Sequence, residues 1–409
     1  MTRSTTISSL GLLIASCGLA AAEVPTYRVE VISTYETTTF LGDASEAGHL
    51  AGSQTLTGFL TPFVARQGDG VTHLPLPPGY LTGMAFDVNN SGVVVGTVSE
   101  STLPFDLGEP AIWTPDGAGG YTVTIPEQFD TLASPLGNLS VSGGQAVAIN
   151  DAGVIVGWSR YQGFQGGPTT RFFESGCPIN LSELGFTATV HDISENGLIA
   201  GGELVMDLAT GQVTTLGVPS AAGGVAFTFV ESYAVNNDAE VVVAAHRATS
   251  TNDKWLTYVN RPQSGYGPLN PAQLPTRFVG FYDNNNRGDI AATGGVLFAD
   301  EDVLVPGFDG LLEPGSAEWD TDLGFIKDDR RVYTTAFNTT TDENALVVLV
   351  PEHVCIADLT GDGALNVDDI DEFVVRFLAG DLAADMDSNG ILNVDDIDAF
   401  VAVFLAGCA

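Results

Sequence analysis

Positive charge is what this sequence has least of. Lysine occurs twice, as Lys254 and Lys327, and 14 basic residues stand against 51 acidic ones, for a formal net charge of −37. A chain so acidic repels phosphate backbones and anionic headgroups, which excludes nucleic-acid binding and docking onto anionic membranes. Acidic character with few lysines suits a salty or calcium-rich medium. Cysteine is also scarce, at four residues. Beyond the N-terminus there is no apolar run long enough to cross a bilayer. Catalytic signatures are absent too: no Gly-x-Ser-x-Gly elbow, no His-Glu-x-x-His, no phosphate loop and no dinucleotide fingerprint. The five histidines are scattered. His191 falls where a repeat begins and His73 on an expected outer strand, so both read as structural or surface residues. These absences favour a protein without enzymatic activity.

What is present is a folded, glycine-rich, β-rich composition: 48 glycines, 44% hydrophobic residues and only 16% charged residues. Such a chain is not intrinsically disordered. Residues 1–22 read as a secretory signal peptide. Arg3 supplies the positive end, Ile7 to Ala20 the short apolar run, and Ala20-Ala-Ala22 the cleavage site. The chain is therefore expected to be secreted, extracellular or on the cell surface, where disulfides persist. Ile14-Ala-Ser-Cys17 offers the alternative of a lipid anchor at Cys17. With Cys17 removed, Cys177 is an odd thiol.

Residues 38–350 repeat a motif: an apolar residue, Asp or a small residue, an apolar residue, Asn or Ser, two polar residues, Gly, then an apolar run. Its best copies are Ala85–Gly96 and Val147–Gly157. The turn positions are Gly48, Gly92, Gly153, Gly197, Ala239, Gly288 and Arg330, separated by 44, 61, 44, 42, 49 and 42 residues. Units of that length each make one four-stranded blade. The expected fold class is mainly β: a seven-bladed β-propeller over residues 23–350, followed by a small all-α calcium-binding module. An open β-sandwich pair is the runner-up and leaves the spacing unexplained. The strand starting at Tyr27 is expected to close the last blade, since otherwise two sheet edges stay open. The repeats resemble the HAF-type extracellular repeats of secreted bacterial proteins, most clearly at Ala85–Gly96 and Ala146–Gly157. That resemblance carries no activity.

Asp43, Asp87, Asp192 and Asp283 recur just before the turns. Two readings stand: a ring of acids on one face that binds cations, or side chains bonded to turn backbone. Trp113 and Trp158 lie on or beside expected strands and read as core; Trp255 and Trp319 complete the tryptophans.

The C-terminal residues write one loop twice, 27 residues apart. An EF-hand-type loop binds calcium through oxygens at positions one, three, five, seven, nine and twelve, with Gly at six. The first copy offers Asp358, Thr360, Asp362, the Ala364 carbonyl, Asn366 (directly or through water) and Asp369, with Gly363 at the turn. The second offers Asp385, Asp387, Asn389, the Ile391 carbonyl, Asn393 and Asp396, with Gly390 at the turn. Two Ca²⁺ ions are expected, the first loop weaker because Thr360 brings only a hydroxyl. The bland alternative is an Asp-rich turn that binds nothing. Helices follow each loop, with Ile370, Phe373, Val374, Phe377 and Leu378 in one and Ile397, Phe400, Val401, Phe404 and Leu405 in the other at helical spacing.

A loop followed by one helix, duplicated, resembles the dockerin type I module over about residues 355–409. The resemblance implies folding on two Ca²⁺, docking onto a cohesin-like or envelope protein, and association with polysaccharide breakdown. It places partner contacts at the tenth and eleventh loop positions. These are Val367, Asp368, Val394 and Asp395, where the family often carries a Ser-Thr type pair. It also implies adjacent ends, hence a Cys355–Cys408 disulfide. The leading expectation is a secreted, non-catalytic binding or adaptor protein whose terminus tethers a propeller to a scaffold or envelope partner. The alternatives are a glycoside hydrolase or lyase on a propeller, and a structural surface protein. A glycan is the other candidate partner. Acids converging in a central channel with aromatic platforms around them would favour the enzyme.

Overall fold

The structure is a computed structural model. It describes residues 24–102, 108–126, 131–132, 139–161, 169–174, 177–216, 221–222, 225–226, 229–249, 252–261, 265–268, 282–292, 295–299, 303–305, 307–322, 324–352, 357, 359, 367–379, 384, 386 and 392–406. The signal-peptide segment 1–22 lies outside these residues, as do Cys17, Cys355 and Cys408. No described helix is long and apolar enough to cross a membrane.

The chain is mainly β. Among the described residues there are seven antiparallel sheets of four or five strands, one two-stranded sheet and two α-helices. Each sheet but the last is a meander in chain order. The second sheet shows how sequence makes it: Thr82–Val88, Val94–Ser99, Glu109–Pro115 and Tyr121–Thr124. Val94 to Ser99 is buried throughout, because this strand is covered on both faces. The third sheet gains a fifth strand, Thr131–Leu132, within the longest interval between turns.

The turn positions all take the left-handed backbone. φ is +84° at Gly48, +76° at Gly92, +79° at Gly153, +86° at Gly197 and +82° at Gly288, and also positive at Ala239 (+59°) and Arg330 (+64°). Glycine reaches this region without steric cost, and the other two residues do not.

Apolar clusters sit between consecutive sheets. One packs Ala51 and Val64 of the first sheet against Val88 and Val94 of the second, around the fully buried Trp113. The Trp113 indole N–H donates to the Pro75 carbonyl at 2.7 Å. Another joins the last sheet to the first, with Phe325, Tyr333 and Leu346 against Leu50 and Phe63. The N-terminal strand Thr26–Tyr35 lies outermost in the last sheet, antiparallel to Glu343–Glu352, with Tyr27 opposite Pro351 and Tyr35 opposite Asn344. The two ends of the β region are thus paired in one sheet, which covers an edge that would otherwise template aggregation.

The helices are Val367–Ala379 and Val394–Ala406. Phe373 and Phe400 stack with centroids 4.2 Å apart and 9° between planes. The aromatic residues form the small core, with Phe377 and Phe404 packed against it. The aliphatic members of the same stripe do not join it: Ile370, Val374 and Leu378 are exposed, as are Ile397, Val401 and Leu405. Two short helices bury one face only between themselves, and the outer aliphatic residues fall beyond it.

Candidate functional site

The seven turns meet one another tip to tip. The Ala47 N–H donates to Asn90 Oδ1 at 2.6 Å, Asn90 N–H to Asp151 Oδ1 at 2.7 Å, and Asp151 N–H to Glu195 Oε2 at 2.8 Å. Asn196 N–H donates to Asn237 Oδ1 at 3.0 Å, Asn237 N–H to Asn286 Oδ1 at 2.9 Å, and Asn286 N–H to Asp328 Oδ1 at 2.7 Å. Asp328 N–H then returns to Glu46 Oε2 at 3.1 Å, beside the starting point. The circuit is closed. Deeper in, Asn89, Asn150, Asn236 and Asn285 each donate a side-chain N–H to the carbonyl at the start of the next turn, at 2.9 to 3.2 Å.

The recurrent aspartates form the innermost tier. Asp87 accepts from its neighbour Val88 N–H at 2.6 Å and from Ile149 N–H of the next sheet at 2.7 Å. Asp192 repeats this with Ile193 and Val235, both at 2.7 Å. Asp43 and Asp283 cap their own neighbours, Ala44 at 2.6 Å and Asn284 at 2.9 Å. Their remaining partner is Lys327, whose Nζ is 3.3 Å from Asp43 Oδ1 and 3.3 Å from Asp283 Oδ2. The carboxylates therefore bond turn backbone, as one of the two sequence readings has it, and they also converge.

They converge at a boundary between two cavities. The first, of about 110 Å³, opens among the turn tips and is lined by Glu46, Asp151, Glu195 and Asp328. The second, of about 350 Å³, is walled by Phe86, Trp158, His191, Tyr233 and Phe325. Asp43, Asp87, Asp192 and Asp283 line both. His191 lies 4.8 Å from Tyr233, ring to ring, and its Nε2 is 3.6 Å from Glu231 Oε2. His191 and Trp158, expected to be structural, are thus cavity walls.

Burial first, and the charges of neighbouring carboxylates second, raise the proton affinity of Asp87, Asp192 and Asp283. Burial, then the charge of Asp43, raises Asp87 well above the usual carboxylate range, against the Ile149 N–H. Burial pushes Asp192 up to about 7, opposed by the Val235 N–H and assisted by the charges of Asp43 and Asp283. Burial also pushes Asp283 up to about 7, against the pull of Lys327. Asp87 and Asp192 each keep part of their surface exposed, which tempers this desolvation without removing it. For Lys327, burial works to lower the pKa, and the charges of Asp283, Asp43, Glu46 and Asp87 together outweigh it, so the ammonium is held. Sequence reasoning passed over Lys327. The signal was its place, where the other six turns start with Ser or Asn.

The calcium set is largely outside the described residues: Asp358, Thr360, Asp362, Ala364, Asn366, Asp385, Asp387, Asn389 and Ile391. Of the remainder, Asp369 and Asp396 are fully buried at equivalent points of the two helices. Asp396 accepts from Met386 N–H at 2.9 Å and Asn393 N–H at 2.7 Å. Val367 and Val394 are exposed, and the side chains of Asp368 and Asp395 lie outside the description, as does the Cys355–Cys408 pair. Among the described residues, no three His, Cys, Asp or Glu side chains are grouped to hold a metal ion.

No protein-family model matches the chain, and no curated protein matches it. It is similar to a solved oligogalacturonate lyase in complex with manganese, at 9% identity and a TM-score of 0.45, over 81% of this chain and 97% of that one. A second oligogalacturonate lyase, from Vibrio parahaemolyticus, is 10% identical with a TM-score of 0.46, over 80% and 97%. YCF48 bound to D1 peptide is 11% identical with a TM-score of 0.39, over 81% and 99%. The expectation of a non-catalytic binding or adaptor protein is corrected here. The two lyases named are enzymes, so a non-catalytic role finds no support in this likeness. The convergence of acids beside aromatic walls is the geometry that the enzyme alternative required.

Proposed function

We propose that the chain is an extracellular seven-bladed β-propeller that cleaves glycosidic bonds of a glycan, as a hydrolase or lyase, in its central channel. The observation that carries this is the four aspartates at the junction of a polar and an aromatic cavity. Glycoside cleavage needs one carboxyl that holds a proton near neutral pH and another that is ionised. Crowded, partly desolvated acids supply both states. Aromatic walls present flat apolar faces to sugar rings. The closed circuit of turns supports the seven-bladed reading.

The test is cleavage by the mature chain of a panel of end-labelled neutral and uronate-containing glycans, with Asp87→Asn and Asp192→Asn as controls. New reducing ends that both variants lose are expected. Cleavage of nothing in the panel, or cleavage that survives both substitutions, overturns the reading.

Residues 355–409 are proposed as a dockerin-like module that binds two Ca²⁺, with a cohesin-like or envelope protein as partner, behind a signal peptide at 1–22. Support comes from the duplicated loop and from Asp369 and Asp396, whose burial suits the twelfth loop position. When bound, the ions would be held by the two loop sets and would stabilise a small core. Titration calorimetry on the mature chain should count two sites, and Asp369→Ala and Asp396→Ala should each remove one. Absence of calcium uptake sinks the module.

A further inference from the structure

Lys327 breaks the pattern of its own repeat. In the other six units the residue at this place accepts a hydrogen bond from the backbone four residues on. Asn89 accepts from Val93 at 3.0 Å, Asn150 from Val154 at 3.0 Å, Asn236 from Glu240 at 2.9 Å and Asn285 from Asp289 at 2.9 Å. Ser194 accepts from Leu198 at 3.0 Å and Ser45 from His49 at 3.2 Å. An ammonium has no lone pair to offer. In the seventh turn the equivalent N–H, that of Arg331, goes instead to Asp329 at 2.9 Å. The turn has replaced its usual cap, and the side chain so released reaches into the channel. A local rule broken this way marks a functional position.

Its reach is specific. In the order of the circuit the seventh unit stands between the sixth and the first, and Lys327 Nζ touches the aspartate of each, Asp283 and Asp43. Asp87 and Asp192, in the second and fourth units, meet backbone N–H groups instead. The third, fifth and seventh units carry Ala148, Ala234 and Phe325 at the aspartate position. We propose that Lys327 is a positioning residue that divides the acid ring: it keeps Asp43 and Asp283 as carboxylates and leaves the dissociable protons on Asp87 and Asp192. The assignment rests on the function proposed above only for its catalytic use: Asp87 or Asp192 would then be the proton donor, and Asp43 or Asp283 the ionised partner. The charged groups around Lys327 are Asp43 and Glu46 of the first unit, Asp87 of the second, Asp283 of the sixth and Asp328 of its own turn. Glu195 of the fourth unit also feels its charge. Asp87 is raised well above the usual carboxylate range, in agreement with the division; Asp192 and Asp283 are both pushed up to about 7, and the Lys327 ammonium 3.3 Å from Asp283 is what sets that pair apart.

The experiment is an infrared measurement of the protonated-carboxyl band on the mature chain near neutral pH, about 7, where ordinary carboxylates are ionised. Asp87→Asn and Asp192→Asn should each diminish the band, and Asp283→Asn should diminish it by less than half as much. Lys327→Met should enlarge it, because Asp283 and Asp43 then take up protons, and Lys327→Arg should leave it unchanged. In the same variants, Lys327→Met should move the acidic limb of the glycan-cleavage profile up by about one pH unit, as expected for losing an ammonium next to a carboxylate. An equal band loss from Asp283→Asn and Asp192→Asn overturns the proposal, and so does an unchanged band in a folded Lys327→Met. If Lys327→Met does not fold, the comparison of the single Asp→Asn variants decides alone. A chain that cleaves no glycan but shows the expected bands loses the enzymatic reading and keeps the role of Lys327.

Discussion

The outer and inner tiers of the turn ring are built from the same repeat, yet they differ in regularity. At the tips every unit takes part, and Asn, Asp and Glu substitute freely for one another as acceptors for the preceding turn. At the inner tier four units carry aspartate, two alanine and one phenylalanine. A feature needed to hold units together must recur in each of them. Asp87 and Asp192 do tie their sheets to the next, but a feature missing from three units is not what closes the ring, and the convergence of its four members needs another explanation.

The comparison can be broken from its inner side first. Asp192→Asn should reduce glycan cleavage by roughly 10²–10⁴-fold, the usual contribution of a positioned acid or base, with the fold retained. Steady-state rates alongside circular dichroism would check this. On the structural side, two residues occupy left-handed turn positions without being glycine, and their fates should diverge. Arg330→Gly removes strain but strips the bidentate partner from Asp289, which is fully buried, with contacts at 2.9 and 3.1 Å. It should destabilise by about 2 kcal/mol, since Asp289 loses its bidentate partner and keeps Arg287 at 3.9 Å and the N–H groups of Asn285 and Ala299. Ala239→Gly has only strain to lose and should stabilise by about 1 kcal/mol. Urea titration of both variants would separate them, and the same sign for both would contradict the division.

A subtler effect follows from pH. Because the proton affinity of Asp192 is raised in the folded state to about 7, the folded chain binds more protons than the unfolded chain from about pH 4 to 7. Stability should therefore fall as pH rises through that window. Discounted for its partial exposure, the contribution of Asp192 is on the order of 1–2 kcal/mol. Asp192→Asn should flatten the slope of melting temperature against pH. The smallest effect belongs to the outer tier: Asp328→Ala removes an exposed acceptor of Asn286 and should cost about 1 kcal/mol in a urea titration, with far less loss of cleavage than Asp192→Asn.

The units were legible in the sequence because their turns use a short local code. An Asn or Ser that accepts from the backbone four residues on, followed by a residue able to take positive φ, is decided within one hairpin. The strands beside Gly92 could be read for the same reason, and the helices after the duplicated loops from their 3.6-residue period. The exposure of Ile370 and Leu378 could not, since periodicity names a face and not how much of it a small partner covers.

The sequence by itself determined the β class, the places of the seven turns, the recurrence of aspartate before them and the overwhelming acidity. Only the tertiary structure decided that Asp43 and Asp283 meet across Lys327. Ring closure places residues 43 and 327 within hydrogen-bond distance, although 284 positions separate them along the chain. It likewise made cavity walls of Trp158 and His191. Local periodicity fixes which face a side chain leaves from, whereas what lies opposite depends on bringing the two ends of the β region into one sheet.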